Sequence, residues 1–165
     1  MRINIHRCRD EDKRKLIRDC GHYFGEYLMG TRLSRSVSVN VRMSDLPKTQ
    51  YALTTWLDSN IMPRNFEIEF NDNIVSPSKI IKVMAHEMVH VKQFAKGELV
   101  DHTKASSSRW MGQVYDTNDE VDSLLPWSAP WEVEAYGREH ELFYAYRDHI
   151  RDLKADAKAL AKKNR

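Results

Sequence analysis

The sequence predicts an α+β fold, on three observations. Short stretches between residues 36 and 70 alternate or are rich in β-forming residues, a strongly periodic helical segment follows them, and long amphipathic segments flank this middle part on both sides. With 165 residues and 41% hydrophobic content, the chain can bury one sizeable core and is too short for two typical domains. A single domain over residues 1–165 is therefore expected.

Residues 10–29 read as the first helix, with Leu16, Ile17, Cys20, Phe24, Tyr27 and Leu28 on one side, charges on the other and Gly30 as its stop. Residues 36–43 alternate strictly, which puts Val37, Val39, Val41 and Met43 on one face of a strand that Pro47 breaks. Residues 51–57 are rich in β-forming side chains, and residues 66–70 alternate again before Asn71, Asp72 and Asn73 turn the chain. Together these segments lead us to expect a sheet of three or more mostly antiparallel strands.

A second helix is bounded by Ser76 as N-cap, Pro77 at its first position and Gly97 as its stop. Within it Ile80, Met84, Met88, Val91 and Ala95 recur at spacings of three and four, an apolar stripe that should face the core. The polar connection that follows is longer than an ordinary loop, so it is expected to carry structure or function. Inside it residues 109–115 have the pattern of a strand or hairpin arm, and Asp116, Asp119, Glu120 and Asp122 form an acidic patch read as a solvated turn. From residue 130 to about 162 the chain forms one long helix, with Tyr136, Phe143, Tyr146, Ile150, Leu153, Ala157 and Leu160 as its stripe and a bend expected at Gly137.

The chemistry is concentrated in His86-Glu87-Met88-Val89-His90. On a helix, residues four apart differ by about 40° in direction, so both imidazoles can reach one zinc ion from a single face, with Glu87 beside them as general base. Both histidines point away from the centre of the apolar stripe, with Lys79, Val83 and Gln93 near their own direction. Catalytic zinc usually takes a third protein ligand and keeps a position for water. Glu132 lies in line with Tyr136 and Phe143 on the last helix, so its carboxylate is directed inward and needs a compensating partner, which a metal ion provides. Glu134 and His102 remain the alternatives. Ala135 would let the two helices approach closely.

H-E-x-x-H followed on a later helix by E-x-x-A resembles the glutamate zincins, the thermolysin-like branch of zinc metallopeptidases. The short chain is also similar to SprT-like and phage-encoded metallopeptidases, with a common core over residues 10–145. By that resemblance the fold is a minimal zincin core, His86, His90 and Glu132 bind Zn2+, Glu87 polarises the metal-bound water, and the substrate is a protein or peptide. The chain departs from the pattern in three ways. The zinc ribbon of some SprT-like proteins is absent, so the resemblance does not carry over a DNA-repair role. SprT-like proteins supply a third histidine, for which only His102 is a nearby candidate here. Four residues after the ligand glutamate, where thermolysin-like enzymes tend to have an aspartate, stands Tyr136, whose hydroxyl is either a partner for a ligand or oxyanion or part of the core.

The formal charge of +2 gives no whole-protein field for nucleic acid or membrane binding. Locally, residues 151–165 hold six basic and two acidic residues, a pattern of a solvated helix face that leaves DNA association as an alternative. Trp110, Trp127 and Trp131 suit core or interface anchors better than stacking platforms for bases. Cys8 and Cys20 are too few for a disulfide scaffold, the N-terminus has no apolar signal-like stretch, and no run reaches the length of a membrane span. A reduced, cytoplasmic setting is expected. The competing reading from another class is a zincin-shaped binding or assembly protein with structural zinc, which an intact Glu87 disfavours.

Overall fold

The computed structural model describes residues 1–102, 107–116 and 128–163. Its elements run β1 (Arg2–His6), α1 (Glu11–Arg35), β2 (Ser38–Ser44), β3 (Ala52–Trp56), β4 (Asn65–Asn71), α2 (Pro77–Lys96), β5 (Leu99–His102), β6 (Ser107–Trp110), β7 (Gln113–Asp116) and α3 (Pro130–Lys163). The fold is α+β. No helix among the described residues is long and apolar enough to cross a membrane.

The main sheet has the order β1-β2-β4-β3 and is mixed, which corrects the mostly antiparallel expectation. β1 and β4 both run parallel to β2, and only β3 is antiparallel to its neighbour β4. Two placements cause this: β4 lies parallel beside β2 with β3 antiparallel on its far side, and β1, unexpected because only Ile3 and Ile5 alternate in a charged stretch, adds a second parallel neighbour to β2. With β1 in place, α1 becomes a crossover connection, and a helical crossover returns the chain parallel to the strand it left. β4 then inserts beside β2 and leaves β3 on the edge.

One face of this sheet is apolar. Val39, Val41, Met43, Phe66, Ile68 and Phe70 are buried there with the helices over them. The other face carries Asn4 hydrogen-bonded to Asn40, and Arg42 paired with Glu67 and Glu69.

α1 begins at Asp10, whose side chain accepts from the Lys13 amide. Gly30, expected to end it, instead breaks the helical geometry at φ 71, ψ 162, and helix resumes to Arg35. Such a dihedral pair suits glycine and few other residues. α2 starts with Ser76 in extended conformation and Pro77 behind it, although the Ser76 side chain makes no capping bond. It ends on left-handed Gly97, whose amide donates to the Phe94 carbonyl while the Glu98 amide donates to that of Gln93. The expected stripe of Ile80, Met84, Met88, Val91 and Ala95 is fully buried.

The long connection carries a second, antiparallel sheet, β5-β6-β7. Residues 109–115 are thus a hairpin and not a single strand, because Met111 (φ 49) and Gly112 (φ 89) form a tight turn with positive φ at both positions. α3 runs through Gly137 as one continuous helix. Its stripe is buried at Phe143 and Tyr146, whereas Leu153 and Leu160 are exposed along with every described residue from Arg151 on. Asp119, Glu120, Asp122 and Trp127 lie outside the described residues, as do the side chains of His102 and Asp116.

Candidate metal centre

α2 lies between α1, the edge of the sheet and α3, and nearly all of its side chains from Ile80 to Ala95 are buried. One turn of helix stacks His86 and His90 so that their Nε2 atoms stand 3.1 Å apart, with ring centroids at 4.8 Å. From the first turn of α3, Glu132 brings one carboxylate oxygen to 3.4 Å from His86 Nε2 and the other to 3.3 Å from His90 Nε2. Ala135, fully buried on the next turn, lets the two helices meet. Four ligand atoms in two imidazoles and a carboxylate therefore converge on one point.

Those separations test whether zinc fits. Zn–N and Zn–O bonds of about 2.0–2.2 Å at tetrahedral angles put neighbouring ligand atoms about 3.3–3.4 Å apart. The two nitrogens stand 3.1 Å apart and each has a different oxygen of Glu132 at 3.3 or 3.4 Å, near that figure, so the three side chains can close on one ion with small adjustments. The donor set of two neutral nitrogens and one carboxylate also suits zinc. Among the described residues these three form the one cluster able to hold a metal ion.

Comparison with protein families, curated proteins and solved structures finds no match for this chain.

Its electrostatics follow from the same contacts. Burial pushes the Glu132 carboxyl upward, but hydrogen bonds and charge from His86 and His90 outweigh it and hold it down at about 2. Burial pulls His90 down, and the Glu132 carboxylate with Glu87 overcomes this to raise it. Glu87, only 5% exposed, points at β3, where Thr54 Oγ1 donates to its Oε2 at 2.6 Å. Thr54 was invisible to the sequence reading, since nothing in a threonine-containing strand announces which helix it will face.

Of the other candidates, Glu134 is turned back toward α2. Its carboxylate accepts from Lys92 Nζ at 2.6 Å and Gln93 Nε2 at 2.9 Å, and lies 3.9 Å from Arg138 Nη1. Tyr136 is half exposed, with its ring 4.6 Å from that of His86, so it covers the histidine and is not a core tyrosine. The His102 side chain lies outside the described residues.

A cleft of about 570 Å³ opens over the centre, between β3 on one side and Trp131, Glu132 and Tyr136 of α3 on the other. Trp56 and Phe94 stack at 4.6 Å along its lining, and Lys79 Nζ sits 3.5 Å above the Tyr51 ring. The larger groove of about 1010 Å³ between α1 and the second half of α3 is lined by surface charges such as Lys15, Asp19, Arg147 and Lys154, without such a cluster.

Proposed function

We propose that this protein is a zinc-dependent peptidase of the minimal zincin type, acting in a reducing compartment, with His86, His90 and Glu132 as metal ligands and Glu87 as its general base. The reading rests on the convergence of these three potential ligands beside a buried glutamate. Zinc, when bound there, supplies an acidified water and polarises the carbonyl to be attacked. Glu87 accepts the proton released in the attack and passes it to the leaving amine nitrogen, while Thr54 keeps its carboxylate aimed along the cleft floor. An extended peptide can pair with the outer edge of β3, which has no strand partner among the described residues, the other edge being taken by β4. Tyr136 closes the opposite wall and limits water at His86. The buried unpaired thiols of Cys8 and Cys20 suit the reducing setting.

Glu87→Gln is the deciding variant. It should keep its zinc and lose cleavage of an unfolded-protein library by about 10²–10⁴-fold. Full activity in this variant, or cleavage by the unaltered chain that persists under chelator, would overturn the reading. The exposed basic end of α3 supports a narrower version in which DNA recruits the peptidase. That version requires DNA-stimulated cleavage and salt-sensitive DNA retention, and it is discarded if neither occurs at low salt.

A further inference from the structure

Gln93 is fully buried, one turn beyond His90, and a buried amide must satisfy both ends. Its Oε1 lies 2.9 Å from His90 Nδ1, and its Nε2 donates to the Trp131 carbonyl and to Glu134 Oε2, each at 2.9 Å. Both partners of Nε2 are acceptors that cannot donate, so the amide has only one workable orientation. Oε1 must then face the imidazole and Nδ1 must carry the hydrogen, so that in the neutral ring the lone pair of His90 falls on Nε2, the atom on the Glu132 side that a metal would take. Glu134 is held in turn by Lys92, whose side chain is 5% exposed and whose Nζ lies 2.6 Å from carboxylate oxygens of both Glu134 and Glu98.

We propose that Gln93 and Glu134 are a positioning pair for the metal centre: Glu134 locks the Gln93 amide, and Gln93 selects the His90 tautomer while tying α2 to the helix turn that carries Glu132. This rests on the metal-centre reading above and deepens it. Two ligands on different helices are registered by one side chain, since Gln93 touches His90 directly and grips the backbone of Trp131, the neighbour of Glu132. His86 has no such support, because its Nδ1 is buried without a hydrogen-bond partner among the described residues. The centre is therefore ordered through His90, and losing such an outer partner typically weakens metal binding about 10–100-fold.

The test measures zinc affinity by competition with a chromophoric chelator, with no substrate present. Gln93→Leu should weaken zinc about 10–100-fold. Glu134→Gln, which replaces the charged acceptor of Gln93 Nε2 by a neutral amide and leaves the Trp131 carbonyl in place, loosens the Gln93 amide and should weaken zinc about 3–10-fold. Val133→Ala, on the exposed side of the same turn, should stay within about twofold. In the zinc-loaded, 15N-labelled protein the His90 Nδ1 proton should exchange slowly, and it should exchange fast in both network variants. A merely structural role would not move that proton. If Gln93→Leu fails to fold, the milder Glu134→Gln carries the test. Unchanged affinity and unchanged exchange in Glu134→Gln overturn the proposal. Weakened zinc in these variants of a chain that cleaves nothing supports the positioning pair while sinking the peptidase reading, and no zinc uptake by the unaltered chain overturns both.

Discussion

In the metal-free protein Glu132 is gripped by two imidazoles, and Glu132→Gln removes that grip while keeping the shape of the side chain. The carboxyl is held at about 2 against an ordinary value of 4.5. At about 1.4 kcal/mol per tenfold change in the protonation equilibrium, this corresponds to about 3 kcal/mol, which the remaining exposure of the side chain trims to about 2–3. A carboxyl held low stabilises the fold above pH 4.5 and loses that contribution as the pH falls through about 2. His90 is raised above 6.5, so its contribution is complete below pH 6.5 and is lost as the pH rises through its higher value in the folded protein. The two together make the metal-free protein exceed Glu132→Gln in stability by the widest margin between pH 4.5 and 6.5. Thermal unfolding of both chelator-treated proteins from pH 2 to 9 reads this directly. At roughly 2–4 °C per kcal/mol for a chain of this size, the gap in Tm should be about 5–10 °C near pH 5.5 and should shrink toward both ends. Two parallel curves would refute the placement of Glu132 between the histidines.

Other outcomes follow from single contacts. Thr54→Val keeps the shape of β3 but removes the 2.6 Å bond to Glu87, so kcat/KM should fall about tenfold or more with zinc content unchanged, as steady-state assays and metal analysis would show. Gly97→Ala forces a side chain onto a backbone at φ 70 and against Met62 at 3.0 Å, and should destabilise the protein by about 1 kcal/mol or more in denaturant titrations. Ending the chain after residue 151 removes only exposed helix among the described residues, and should leave Tm and zinc content unchanged while abolishing any DNA retention.

Much of the site was legible because helical spacing is local. The i, i+4 placement of His86 and His90, the buried stripe from Ile80 to Ala95, and the stop at Gly97 all depend on backbone geometry within a few residues. The inward direction of Glu132 could likewise be read from its phase against Phe143. The same phase argument failed for the end of that stripe, since Leu153 and Leu160 have the right spacing and no partner among the described residues to bury against. A periodic pattern says which residues share a face. It does not say how far a neighbouring element extends.

What the sequence alone determined were the three helices, the strands β2, β3 and β4, and two histidines on one face of a helix, because these are set by interactions between residues close along the chain. Only the tertiary structure decided that β1 and β4 both flank β2 in parallel, that Thr54 on an edge strand meets Glu87, and that Glu134 serves Lys92 and Gln93 while Glu132 turns to the imidazoles. These contacts join residues 33 to 46 positions apart, and no local rule of the backbone relates their orientations. The packing of α3 against α2 does, through the buried Ala135 and the amide of Gln93 that spans the two helices.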